Sequence, residues 1–187
     1  MTEAEIIKKC KKGDRDAFNE LVKMYQNKIV NIAYGMLSDS DDAFDAAQEV
    51  FIKVYKGLDN FREKSSFSTW IYRITSNVCA DILRKRQRSI NAISINYSDD
   101  EKEMEIKDES LTPEEYSELN ERQAALRQAL KEIKDEYREI ITLFDIEELS
   151  YDKISEILKI PVGTVKSRLN RARAALKKNL SEKVELF

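Results

Sequence analysis

The sequence predicts an all-α protein of two small helical domains, a four-helix N-terminal domain and a C-terminal helix-turn-helix domain, joined by a flexible acidic linker. Three observations point there. Apolar residues recur at spacings of three and four over most of the chain, the period of an amphipathic helix. Only four Gly and two Pro interrupt 187 residues, too few for the many turns of a sandwich or barrel. Charge is also unevenly placed: residues 61–90 hold seven cations against two acids, residues 91–121 two against eleven, and residues 162–187 seven against two. Two basic patches therefore flank an acidic stretch, and the net charge of −3 conceals both.

The N-terminal domain is expected over residues 1–89. A first helix runs Glu3–Lys12 and closes at Gly13, after which Asp14 or Asp16 can cap the next. That second helix carries Phe18, Leu21, Val22, Tyr25, Ile29, Ile32, Ala33 and Met36 on one face. Beyond SDSDD, a third helix repeats the pattern with Phe44, Ala47, Phe51, Val54, Tyr55 and Leu58. The polar segment DNFREKSSF leads into a fourth helix with an inward stripe of Ile71, Ile74, Val78 and Ile82, ending in RKRQR.

Residues 90–113 are expected to be the linker, since a segment so acidic and so poor in apolar residues resists packing into a core. A solvated spacer without further role fits that composition equally well. The C-terminal domain, residues 114–187, shows apolar helical stripes over Leu119–Ile133, Tyr137–Ile146, Tyr151–Leu158 and Val162–Leu180. Ser150 is a plausible N-cap for the third of these, and KIPVG makes a tight turn before the fourth.

That last helix buries Val162, Val165, Leu169, Ala172 and Leu176 as one stripe. Thr164, Lys166, Ser167, Arg168, Asn170, Arg171 and Arg173 remain on its outer surfaces. A short helix, a tight turn and a cationic second helix make a helix-turn-helix, whose second helix enters the DNA major groove. Arg and Lys suit guanine edges, Asn suits adenine, and Ser or Thr suits phosphates. The competing reading is a solvated basic face. On the fourth helix, Trp70, Arg73, Asn77, Arg84 and Arg88 fall near one surface by the same spacing. An aromatic, an amide and cations together suit single-stranded DNA, although Trp70 alone fits a core equally well. Asp81 is expected to order neighbouring cations.

Several classes are excluded or disfavoured. There is no His, which removes imidazole acid–base chemistry and the commonest zinc ligand. No phosphate-binding loop, dinucleotide fingerprint or nucleophile elbow occurs, so no enzyme, cofactor, metal or small-molecule substrate is expected. No apolar run approaches the roughly 18–20 residues of a membrane span. The opening MTEAEIIKKCKKGD has no signal-peptide core, and Cys10 and Cys79 have no partner spacing, so a reduced cytoplasm is expected.

The stretch LSYDKISEILKIPVGTVKSRLNRARAALKK resembles region four of bacterial sigma factors of the extracytoplasmic-function group, the module that reads the −35 promoter element. The segments DDAFDAAQEVFIKVYKGLDNF and FSTWIYRITSNVCADILRKRQR resemble, in the right order, the polymerase-docking and −10 recognition parts of region two. The resemblance implies core RNA polymerase, duplex −35 DNA and single-stranded −10 DNA as partners, with an anti-sigma factor, often membrane-bound, as inhibitor. It implies a docking face of Asp42, Asp45, Gln48, Glu49 and Lys53, and a −10 set of Phe61, Phe67, Trp70, Arg73, Asn77, Arg84, Lys85 and Arg88. Asn77 matches the position that holds a flipped base, with the loop Asp59–Ser68 closing over it. Without the resemblance, a dimeric helix-turn-helix regulator acting without polymerase, or a helical adaptor for a protein partner, fits the residues too.

Overall fold

The computed structural model describes residues 1–62, 65–92 and 113–184, with side chains over 1–62, 65–89 and 123–181. Among these residues every regular element is helical: α1 Glu3–Cys10, α2 Arg15–Leu37, α3 Ser40–Gly57, a 3-10 turn Leu58–Asn60, α4 Phe67–Ala92, α5 Pro113–Glu132, α6 Asp135–Ile141, a π-helical turn Thr142–Ile146, α7 Tyr151–Leu158 and α8 Val162–Val184. The expected linker lies mostly outside the described residues.

Caps set the boundaries. Thr2 and Glu5 form a reciprocal capping box on α1. The Asp14 carboxylate accepts from the backbone of Asp16 and Ala17, and that of Asp39 from Asp42, each satisfying otherwise unpaired N–H groups. Helix α1 ends at Cys10 rather than Lys12, because the chain turns through Lys11 and Lys12 to Gly13, whose φ of +86° a side chain would oppose.

The buried side of α3 differs from the expected stripe. Ala43, Ala46, Ala47, Val50 and Val54 face inward, whereas Phe44 and Tyr55 are 49% and 55% exposed. Small side chains let α3 lie close upon α2, and the large rings are pushed to its edges.

The Tyr137–Ile146 stripe also divides. Glu147 N–H donates to the Thr142 carbonyl at 3.0 Å, five residues back, which widens the helix into a π turn. Among the described residues one apolar cluster extends from Ile6 of α1 to Ala172 of α8. α6 packs on α2 and α7 on α4, so the two halves share an interface.

Candidate nucleic-acid interface

The helix-turn-helix is built by α7, residues 159–161 and α8. Ser150 Oγ accepts from Lys153 N–H at 3.3 Å and starts α7. Lys159 ends it in the left-handed conformation, φ 55°, its N–H donating to Ser155 O. Ser155 Oγ also donates to Ile160 O at 2.6 Å, which closes the turn. Pro161 then accepts from Thr164 and Val165 N–H at 2.8 and 3.0 Å to begin α8. Val165, Leu169 and Ala172 are buried, and Val162 and Leu176 half-buried, against the preceding helices.

The seven outer residues of α8 separate into a face and two flanks. Asn170 and Arg171 are exposed. Gly163, Ser167, Asn170 and Ala174 recur at helical spacing on that outer face, and nothing lies within 4 Å of where a Gly163 side chain would begin. On one flank, Lys166 sits 5.4 Å over the Tyr151 ring and Arg173 lies 5.2 Å over Phe144 while pairing with Asp145. Phe144 and Tyr151 stack at 4.7 Å. On the other flank Arg168 pairs with Glu136 at 3.5 Å, beside half-buried Thr164. Ser167 Oγ donates back to Thr164 O at 3.1 Å.

The aromatic members of the α4 set are packed more deeply than the expectation required. Phe61 and Phe67 are only 6% and 2% exposed, their centroids 5.5 Å apart. Their rings therefore support the site from beneath and do not offer a free stacking face. Trp70 is half-buried on both, with centroids 5.1 and 5.5 Å away. Lys11 Nζ donates to Phe61 O at 2.7 Å and anchors the start of the loop. Part of the Asp59–Ser68 loop lies outside the described residues.

Asn77, Arg84, Lys85 and Arg88 are exposed along α4. Asp81 pairs with Arg84 at 2.9 Å, the ordering role expected of it. Arg73 does not join this open surface, because its Nη2 donates to Glu156 O of α7 at 3.1 Å. Arg86, not singled out from the sequence, turns inward to pair with Asp42 and donate to Leu37 O.

Asp42 is thereby drawn away from the docking face expected of it. Asp45, Gln48, Glu49 and Lys53 are exposed, Glu49 and Lys53 pairing at 2.8 Å. Beside them runs a groove of about 640 Å³ between α2 and α3, lined by residues that include Val22, Val30, Phe44, Gln48 and Phe51. The sequence reading placed Phe44 and Phe51 on one apolar stripe and did not pick out this groove; Phe51 packs partly on the core, whereas Phe44 is exposed. The alanines of α3, at their own three-and-four spacing, carried the signal.

Among the described residues no cluster of Cys, Asp and Glu could hold a metal ion, and no helix is long and apolar enough to cross a membrane.

Comparison with known proteins follows the same division. The family model described as Sigma-70 region 2 matches residues 21–89, and Sigma-70, region 4 matches residues 123–176. The ECF RNA polymerase sigma factor SigW of Bacillus subtilis is 39% identical over 178 residues, covering 94% of this chain and 95% of its own. The ECF RNA polymerase sigma-E factor of Escherichia coli is 35% identical over 179 residues, covering 94% and 93%. Among solved structures, CnrH in complex with the cytosolic domain of CnrY aligns with a TM-score of 0.67 at 22% identity, covering 95% of this chain and 96% of that one. The sigma factor RpoE in complex with the anti-sigma factor NepR from Bartonella quintana aligns at 0.68 and 23%, covering 88% and 96%. At those identities the structures speak for the fold.

Proposed function

Because this chain belongs to the extracytoplasmic-function group of the sigma-70 family of RNA polymerase sigma factors, we propose that its three surfaces divide the work of directing core polymerase to promoters. The exposed Asp45, Gln48, Glu49 and Lys53, with the α2/α3 groove beside them, dock on core polymerase. The face of α8 centred on Asn170 and Arg171 reads the −35 duplex in the major groove. The surface of α4 around Asn77, with Arg84, Lys85 and Arg88, holds the melted −10 strand.

The chemistry is binding. Cations neutralise phosphates and release counterions, which draws DNA to the protein and makes its affinity salt-dependent. Extruding a −10 base costs a few kcal/mol, which hydrogen bonds from Asn77 and stacking near Trp70 offset. The protein is an initiation factor, and its activity is that of the polymerase it recruits. We place it in the cytoplasm, where an anti-sigma factor restrains it.

The observation that carries the reading is the presence, in one chain and in order, of matches to both region two and region four. The test is co-purification with core polymerase followed by run-off transcription on random promoter fragments. A stable complex giving discrete transcripts is expected. A homodimer that binds palindromic DNA and ignores polymerase would instead make it an operator-binding regulator.

A further inference from the structure

Helix α1 and the turn behind it lie outside residues 21–89, the part matched to region two, yet they reach the −10 surface at two points. At the turn, the Lys11 ammonium donates to the Phe61 carbonyl at 2.7 Å, across 50 residues of chain, and lies 5.5 Å from the Phe61 ring centroid. At the start of α1, the Glu3 carboxylate accepts from the Tyr25 hydroxyl, and the Tyr25 ring meets Phe67 edge-on at 5.3 Å. Ile6, Ile7 and Cys10 are buried between these two points, which fixes α1 against the domain.

Phe61 is where such a hold matters. It leaves the 3-10 turn in an extended conformation, φ −68° and ψ 110°, which takes its carbonyl out of the helical hydrogen-bond ladder. Its N–H donates to Leu58 O at 3.1 Å and its carbonyl accepts from Lys11, so the residue is gripped at both ends. A hydrogen bond from an ammonium is roughly twice as strong as one between neutral groups. The gripped ring is 6% exposed and lies beneath Trp70, centroids 5.1 Å apart, while Phe67 supports Trp70 at 5.5 Å. Trp70 and Asn77, two helical turns apart, share one face of α4. Lys11 thus bears, through Phe61, on the floor of the −10 surface.

We propose that Lys11 is a positioning residue for −10 recognition. By fixing the Phe61 carbonyl it holds the ring on which Trp70 rests, and so presets the surface that receives an extruded base beside Asn77. The proposal rests on the promoter reading above and adds to it a residue outside the region-two match. Its physical content is preorganisation: a surface whose floor is already placed loses no affinity to ordering when a base arrives. The ammonium is directed at a backbone carbonyl, so removing it acts on selectivity and leaves the count of neutralised phosphates unchanged. A lysine that simply contacts phosphate does the reverse.

The test uses polymerase holoenzyme assembled with the full-length chain. Lys11→Met keeps the apolar stem and removes the donor; Lys11→Arg keeps a cationic donor. Fork-junction promoters carrying each of the four bases in turn at each −10 position read discrimination. Lys11→Met should lose about three- to tenfold of the discrimination at the extruded position, the worth of one net hydrogen bond. The slope of log affinity against log salt should not change, and Lys11→Arg should keep most of the discrimination. Core-polymerase and −35 duplex binding should be alike in all three proteins. Trp70, the sole tryptophan of the chain, reports the surface without DNA. In the free protein, acrylamide should quench its emission more readily in Lys11→Met than in Lys11→Arg or the unaltered chain. Equal losses on every −10 sequence with a shallower salt slope would make Lys11 a phosphate contact. Undiminished discrimination, unchanged quenching, equal losses in both variants, or loss of helical structure in Lys11→Met would leave it no positioning role. Each of these overturns the proposal. If unaltered holoenzyme opens no promoter, the initiation-factor reading falls, while Trp70 quenching still decides whether Lys11 places the ring.

Discussion

Asp145 clasps Arg173. Its carboxylate accepts from Nε at 3.2 Å and from Nη2, which holds the guanidinium over Phe144 and raises its pKa through that hydrogen bond. Arg171, two positions earlier, is exposed on the outer face of the same helix.

Arg171→Ala is therefore expected to weaken −35 duplex binding by about 1–3 kcal/mol, the worth of a bidentate base contact. Arg173→Ala should cost less discrimination, and Lys177→Ala should weaken all sequences alike. Fluorescence anisotropy on promoter and random duplexes separates these outcomes. Equal losses on both DNAs for every variant would reduce α8 to a phosphate binder.

Asn77→Ala should leave core-polymerase binding and −35 binding intact and impair promoter opening. Asn77 is exposed on α4, apart from the docking residues of α3 and the outer face of α8. A premelted −10 template removes much of the unstacking cost and should partly rescue the variant. Permanganate reactivity on duplex and premelted promoters reads this directly. Normal opening of duplex DNA would leave Asn77 a structural amide.

Lys159→Gly should stabilise the protein. Lys159 holds φ 55° at the turn between α7 and α8, where a residue with a Cβ is strained by about 1–2 kcal/mol. Glycine's greater freedom in the unfolded chain offsets roughly 0.5–1 kcal/mol of that. A net gain of about 0.5–1 kcal/mol should appear as a higher urea midpoint with unchanged slope; a loss would place the strain elsewhere.

Glu139 makes the fold sensitive to pH. Burial raises its pKa above the ordinary 4.5, with Asp135 and Glu136 adding to the rise and Ser76 and Arg168 opposing it. The folded state thus binds this proton more tightly than the unfolded chain does. Its contribution is fully present below pH 4.5 and is lost as pH rises through the raised value. Glu139→Gln should remove that part of the slope of stability against pH. Melting temperatures measured from pH 4.5 upward check it, and parallel curves for the two proteins would contradict it.

What the sequence made legible was what local chemistry decides. The capping role of Asp14, the Ser150 cap and the buried stripe of α8 depend on neighbours within a turn or two, so spacing alone finds them. The fate of Arg73, Asp42, Phe44 and Phe61 depends on which distant helix arrives beside each. Periodicity assigns a residue to a face but does not say whether that face meets solvent, as Phe44 does, or another domain, as Arg73 does. Gly35 drew no notice in the sequence, since the Thr142 side chain that a Cβ there would meet lies more than a hundred residues away.

The two thiols lead to a different kind of conclusion. Cys79 is fully buried, its pKa pushed up to about 12 by burial and by the nearby Glu139 carboxylate, and burial raises that of Cys10 as well. Nucleophilic attack and oxidation proceed through the thiolate, the form that burial disfavours at both positions. Both thiols are therefore poor nucleophiles while the fold is intact.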